Sequence, residues 1–447
     1  MVSVSSNEAV TATTREVASE LRRAAMSGKF VEITAADGFR FRAYKALPPS
    51  GKGPGLIVQQ ELFGINVQIR RVCDQFAEEG YVVVAPDLFA RIEPNVELGY
   101  SEPDFNKALN LYTKFDEAQA VRDVGATLEA LRRMPECEGD VGTIGYCLGG
   151  KLVVLTAARY DIACAASYYG VGIENCLDEA KNIKCPMVFH FAELDHYAPT
   201  EAVGKIQAAF AQRKDVKIHV YPGVDHAFAS PERPPYNKPA AIMAHSRTLS
   251  LFRKALGPDY DLSALWDKHL EYEFGTRDLE ANMKTMVAQP YVNDVPTLTG
   301  GVGYEELYNF YKHHFLFANP ADTRTVPISR TVGADRVVDE LIFCFTHDRE
   351  IDWMLPGIAP TGKYVEVPLV AIVCFRGDKL YHEHIYWDQA SVLVQLGLID
   401  RAGLPVVGSE SAQKLINEQL PSNLLLRNCA VRRLDAAKFP APGTKSG

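Results

Sequence analysis

A chain of 447 residues is too long for one ordinary hydrophobic core, so at least two domains are expected. Apolar residues at 47% and charged residues at 23% describe a globular protein, and a net charge of -9 opposes nonspecific nucleic-acid binding, which needs a basic face to displace counterions. No apolar run reaches bilayer-spanning length, and Met1 to Lys29 lacks an apolar signal core and contains Glu8, Glu16 and Glu20, so a cytoplasmic protein with no membrane partner is expected.

In chain order, residues 1–29 form a polar leader, expected to be partly mobile. Phe30–Leu47 reads as a hairpin of strands about the Asp37-Gly38 turn. Short apolar strands are predicted at Gly55–Gln60, Tyr81–Ala85, Val141–Gly145, Ala165–Tyr169, Met187–Phe191 and Val216–Tyr221. Helical patterns fall between them at Val67–Glu79, Glu117–Arg133, Lys151–Arg159 and Glu201–Gln212, with a last one at Pro239–Leu256. Strands buried on both faces lose polar alternation, and helices between them imply parallel crossovers. Residues 30–257 are therefore predicted to form a doubly wound, mostly parallel sheet with helices on both faces, ending at Gly257-Pro258.

Beyond Asp261 the rhythm changes. Leu262–Val287 reads as largely helical and Glu305–Phe315 as a second helix. Longer strands follow at Thr325–Val332, Val337–His347, Val365–Phe375 and Lys379–Trp387, the last two joined through Gly377-Asp378. Helices followed by an antiparallel sheet make residues 262–430 an α+β domain. The tail, residues 436–447 with Pro440, Pro442 and Gly443, is expected to be mobile.

Nine cysteines are scattered along the chain, with no CxxC pair and no Cys/His group at zinc-ligand spacing. No metal and no cofactor are expected, and Cys164, Cys176 and Cys185 read as small core residues. Cys147 differs by its context, Val141-Gly142-Thr143-Ile144-Gly145-Tyr146-Cys147-Leu148-Gly149-Gly150. An apolar strand runs into G-x-C-x-G and a helix follows at once. This is a nucleophile elbow, with cysteine where serine is commoner. The turn is too tight for side chains at Gly145 and Gly149, and the helix N-terminus favours a thiolate.

A nucleophile needs a base, and the base an orienting acid. Asp195 follows the strand at Met187–Phe191, and His226 follows the strand at Val216–Tyr221, on the sheet edge where Cys147 emerges. Glu193 is the rival acid and His196 the rival base. His196 adjoins the acid in sequence and would struggle to turn its ring onto it. The predicted triad is Cys147, His226 and Asp195.

The segments Gln60-Glu61-Leu62-Phe63-Gly64-Ile65-Asn66, Pro86-Asp87-Leu88-Phe89-Ala90-Arg91, Gly145-Tyr146-Cys147-Leu148-Gly149-Gly150 and Tyr168-Tyr169-Gly170-Val171-Gly172 closely resemble dienelactone hydrolases, or carboxymethylenebutenolidases. The resemblance covers about residues 30–257. It implies an α/β-hydrolase fold and opening of unsaturated lactones formed in the breakdown of catechols. It also implies that Glu61 takes the thiol proton, that the backbone N–H groups of Leu62 and Leu148 form the oxyanion hole, and that Arg91 pairs with the substrate carboxylate. The family typically has serine directly after the histidine and arginine four residues after it, where this chain has Ala227 and Ser230. One carboxylate clamp is thus missing unless Arg233 swings in from the loop Pro231–Pro235.

Residues from about 262 to 430 resemble the cone-shaped fold of polyketide cyclases and nuclear transport factor 2-like proteins. The resemblance rests on Gly300-Gly301-Val302-Gly303-Tyr304, Pro360-Thr361-Gly362-Lys363 and Glu383-His384-Ile385-Tyr386-Trp387-Asp388. It implies an apolar pocket and a homodimer through the C-terminal domain. His347, Asp352, Glu383, His384 and Asp388 are candidates to face that pocket, although Glu383 and His384 lie on opposite faces of one strand. The leading expectation is a hydrolase acting on a small-molecule lactone or activated ester. The alternatives are a two-step enzyme whose second domain isomerises or binds the product, and a non-catalytic small-molecule-binding or assembly protein.

Overall fold

A computed structural model describes residues 28–426 of the chain. The tail predicted to be mobile, and all of the leader except Gly28 and Lys29, lie outside the described residues. Two compact units are formed, one running to Leu262 and one from Ser263, with Gly333–Asp335 and Phe375–Lys379 grouped with the first.

The first unit runs β1 (Lys29–Thr34), β2 (Arg40–Ala46), β3 (Gly53–Gln59), α1 (Val67–Glu78), β4 (Val82–Pro86), α2 (Glu102–Tyr112), α3 (Glu117–Arg132), β5 (Cys137–Tyr146), α4 (Leu148–Arg159), β6 (Ala165–Tyr168), β7 (Met187–Ala192), α5 (Thr200–Phe210), β8 (Val216–Tyr221) and α6 (Lys238–Leu256). Its sheet has the order β1-β2-β4-β3-β5-β6-β7-β8. The β1–β2 and β2–β4 pairs are antiparallel, and every pairing from β4–β3 to β7–β8 is parallel.

Alternation along the central strands divides the core between two faces. Ile57, Val82 and Val84 pack with Val124 and Leu128 of α3 and Leu152 of α4. Leu56, Val58, Val83 and Ala85 pack with Ile69 and Phe76 of α1 and Leu249 and Phe252 of α6. This is the doubly wound α/β-hydrolase arrangement. Asn66, Asp116 and Asn237 start α1, α3 and α6 by accepting backbone N–H groups of the first turn. Helix α2 had no clear sequence signal, because it buries only Ala108 and Leu111.

The second unit contains α7 (Leu262–Leu270), which loosens into a π turn at Glu271–Gly275, then α8 (Leu279–Lys284), β9 (Met286–Asp294), β10 (Thr299–Val302) and α9 (Tyr304–Phe310). Strands β11 (Arg324–Val332), β12 (Arg336–Thr346), β13 (Tyr364–Arg376) and β14 (Lys379–Trp387) follow, with α10 (Gln389–Gln395) and α11 (Glu410–Ile416) last. The sheet order is β10-β9-β14-β13-β12-β11. It is mixed rather than antiparallel, because β14 lies parallel to β9. Residues Met286 and Val287, expected to end a helix, instead begin β9. That strand is hard to read because Pro290 and several polar residues interrupt its apolar side. No helix among the described residues is long and apolar enough to cross a membrane.

Candidate active site

Cys147 sits between β5 and α4 with φ 55° and ψ -114°, a left-handed backbone that side chains rarely adopt. Crowding forces the bend. A Cβ on Gly145 would lie 2.2 Å from the Gly149 carbonyl oxygen, and one on Gly149 would lie 2.2 Å from the Gln59 carbonyl oxygen. The Cys147 N–H donates to the Tyr168 carbonyl at 3.0 Å, and the Gly149 N–H to the Gln60 carbonyl at 3.0 Å. The bend is thus tied to both neighbouring strand ends. Cys147 is buried but not sealed, with 9% of its surface exposed. It stands at the positive end of α4.

His226 and Asp195 come from the loops after β8 and β7. The His226 Nδ1 lies 2.7 Å from Asp195 Oδ2, and both side chains are buried. Asp195 Oδ1 accepts the backbone N–H groups of Tyr197 at 2.8 Å and Ala198 at 3.2 Å, which fixes the carboxylate before it meets the ring. Tyr169 and Tyr197 pack edge-on to the imidazole, with ring centroids 4.9 Å and 5.1 Å away. Burial alone would lower the His226 pKa, but its interactions with Cys147 and Asp195 outweigh it and push it up to about 10. The rivals have other positions. Glu193 accepts the Gly223 N–H at 2.8 Å and braces the loop, while His196 stacks on Tyr197 with centroids 3.9 Å apart.

Glu61 is buried in the loop after β3. Burial raises its pKa, against the lowering effect of Arg233 and His226. Its Oε2 faces the Tyr100 hydroxyl at 3.5 Å, and its Oε1 has no hydrogen-bond partner, with Arg233 Nη1 3.9 Å away. The Arg233 guanidinium also lies over the rings of Phe63 and Tyr100, 5.6 Å and 5.4 Å from their centroids. The N–H groups of Leu62 and Leu148 meet no protein acceptor among the described residues.

Arg91 does not offer the free guanidinium expected of it. It grips Asp123 in a two-pronged pair at 2.7 Å and 2.8 Å, and reaches Asp37 at 2.9 Å. Its plane also covers Phe39 at 4.3 Å. Such paired, stacked use satisfies an arginine within the protein. Arg233, in the loop after His226, is the cation beside Glu61. Tyr100 and Tyr169 add the aromatic walls. Tyr169 lies in one of the segments that carry the family resemblance, whereas nothing local marks Tyr100, whose hydroxyl reaches Glu61 from a distant loop.

Among the polar residues expected around a pocket in the second unit, Asp388 caps α10, accepting the Ala390 and Ser391 N–H groups. Asp352 pairs with His314 at 3.2 Å near the surface, and His347 Nδ1 meets Thr361 Oγ1 at 3.2 Å. Glu383 alone of the Glu383/His384 pair is buried. It meets His269 and Glu273, which the sequence reading had not marked. These three converge closely enough to hold a metal ion, as do Asp195, His196 and Asp225.

The dienelactone hydrolase family model matches residues 41–256. Carboxymethylenebutenolidase 1 of Cupriavidus pinatubonensis is 37% identical over 229 residues, 51% of this chain and 97% of that protein. The carboxymethylenebutenolidases of Pseudomonas sp. strain P51 and Pseudomonas putida are 36% and 34% identical, over 50% and 49% of this chain and 94% and 93% of their own lengths. The first unit therefore spans nearly the whole of these relatives. Through that unit the chain belongs to the dienelactone hydrolase family, and it is a hydrolase.

Proposed function

We propose that the chain opens a small, carboxylate-bearing unsaturated lactone, or a comparably activated ester, through a thioester on Cys147. The observation that carries this reading is a cysteine on a forced left-handed bend beside a histidine whose Nδ1 is held 2.7 Å from Asp195. The relatives named above are carboxymethylenebutenolidases, and the same substrate class is proposed here.

With Nδ1–H held by Asp195, Nε2 is the ring nitrogen left to serve Cys147. The thiolate attacks the carbonyl carbon, and the oxyanion accepts from the Leu62 and Leu148 N–H groups. The C–O bond breaks, the departing enolate or alkoxide oxygen takes the proton of the His226 imidazolium, and a thioester remains beside a neutral His226. Water, deprotonated by His226, adds to the thioester carbonyl and releases the acid and the thiol. Glu61, buried with one oxygen unsatisfied, takes the thiol proton when substrate displaces the resting arrangement. Arg233 replaces Arg91 as the partner of the substrate carboxylate, and fills the role that Ser230 leaves vacant in sequence. The second unit is read as a polyketide-cyclase-like pocket domain through which two chains pair, on the motif resemblance alone.

The test is hydrolysis of cis- and trans-dienelactone and p-nitrophenyl acetate by wild type and Cys147→Ala, with intact-mass detection of the acyl-enzyme after acid quench. Turnover and a single acyl adduct in wild type only are expected. Equal turnover in both proteins would sink the cysteine mechanism. No hydrolysis of any activated ester by wild type would point to a binding role instead.

A further inference from the structure

His269 and Glu273 stand four residues apart where α7 loosens into its π turn, and Glu383 projects from β14 on the strand's buried face. All three are essentially inaccessible, at 0%, 4% and 3% exposure. The His269 Nε2 lies 3.1 Å from Glu273 Oε1 and 3.4 Å from Glu383 Oε1. Neither Nε2 nor Glu383 Oε1 has a hydrogen-bond partner.

The other ring nitrogen fixes the tautomer of the neutral ring. Nδ1 lies 2.6 Å from Thr285 Oγ1, and the Thr285 hydroxyl donates its one proton to the Asn282 carbonyl at 2.6 Å. Thr285 Oγ1 can then only accept, so Nδ1 bears a hydrogen. In the neutral ring Nε2 presents a lone pair to two carboxylate oxygens, an arrangement that repels unless a proton or a metal cation lies among them.

We infer that His269 Nε2, Glu273 and Glu383 bind a divalent first-row metal ion inside the second unit. The spacing suits it. Metal–ligand bonds of about 2.1 Å in tetrahedral or octahedral geometry put neighbouring donors roughly 3.0–3.4 Å apart. A ligating histidine that gives its second N–H to a fixed oxygen has the orientation and tautomer that metal binding needs. One imidazole and two carboxylates, with no thiolate, suit Zn2+, Mn2+ or Fe2+ and disfavour Cu(I).

Charge points the same way. Asp294, also buried, adds a further carboxyl whose Oδ2 accepts from Thr299 at 3.0 Å. The acids must take up protons or be neutralised by a cation. Trp266 stacks on the His269 ring at 5.6 Å and Tyr311 meets it edge-on at 6.3 Å, closing the site with aromatic walls. Three protein donors leave at least one position for water or a small oxygen ligand. The spacing of the donors along the chain matches no zinc-ligand pattern, which hides the site from sequence.

The competing reading is an imidazolium bridging the two glutamates, with no metal affinity. The full chain, stripped with EDTA, is titrated with Zn2+ and Mn2+ by calorimetry and with Co2+ by visible absorption. Wild type and Cys147→Ala are expected to bind one ion per chain, with Co2+ d–d bands and no thiolate charge-transfer band. Glu383→Gln, nearly isosteric, should lose roughly 100-fold or more in affinity, and Thr285→Val roughly 10–100-fold, as removal of a ligand's own hydrogen-bond partner does. Absence of saturable binding to wild type would overturn the inference. So would full affinity in Glu383→Gln, which would place the ion elsewhere, for example at Asp195, His196 and Asp225. So would binding lost in Cys147→Ala.

Discussion

Each unit buries a histidine against carboxylates, and the two differ in which ring nitrogen meets the acid. In the first unit a single aspartate holds Nδ1 of His226, and the other nitrogen is left beside a thiol at the mouth of a strained turn. In the second, a hydroxyl holds Nδ1 of His269, and two glutamates converge on Nε2. In the mechanism proposed above, the first arrangement leaves a nitrogen to move a proton between cysteine and water. The second leaves none, because Nε2 is already enclosed by acids, and suits a fixed cation better than a proton shuttle. Local wiring, rather than burial or the count of nearby acids, separates a base from a ligand.

The sharpest way to break this comparison is to remove the groups that make His226 a base. Cys147→Ala should reduce ester hydrolysis on the order of 10⁵–10⁶-fold in kcat with the protein still folded, read by steady-state kinetics and circular dichroism. Asp195→Asn should cost on the order of 10⁴-fold in kcat by releasing the tautomer, with smaller effects on KM. An Asp195→Asn enzyme within tenfold of wild type, a margin of about 1.4 kcal/mol, would mean that the aspartate does not orient the ring.

Arg233→Ala should raise KM for a carboxylate-bearing lactone by about 10–100-fold, the loss of one charge-assisted hydrogen bond, while p-nitrophenyl acetate kinetics stay near wild type. Arg91→Ala should affect both substrates alike, through loss of the pairs to Asp37 and Asp123. The opposite pattern would return the clamp to Arg91.

The smallest effect expected is on stability. The His226 pKa is pushed up to about 10 in the folded protein, above an unfolded value of about 6.5. Its contribution is therefore complete below about pH 6.5 and disappears as pH rises through about 10. Urea unfolding across pH 6–11 should show wild type losing stability over that window relative to His226→Gln. Parallel curves for the two proteins would contradict the pairing of His226 with Asp195 and Cys147.

Much of the first unit could be read along the chain. Short apolar strands alternating with helices leave few topologies, and Gly145 and Gly149 announce a bend that admits no side chain. Asp195 and His226 follow their strands closely, so the edge they occupy came with the topology. Arg91 went the other way. The acids that engage it come from residues 54 and 32 positions away, on the β1–β2 turn and on α3, and no local pattern reports such pairs. The second unit was less legible, since β9 carries a proline and polar residues where an apolar run would have marked it.

Periodicity, glycine sterics and motif order carried the fold and the likeness of the first unit, because these act between residues close in the chain or are repeated by the backbone itself. Which cation stands beside Glu61, and that Glu383 faces His269, was decided only when distant segments came together. Charge pairing operates through space over a few ångströms, and the separation of its partners along the chain leaves no periodic trace.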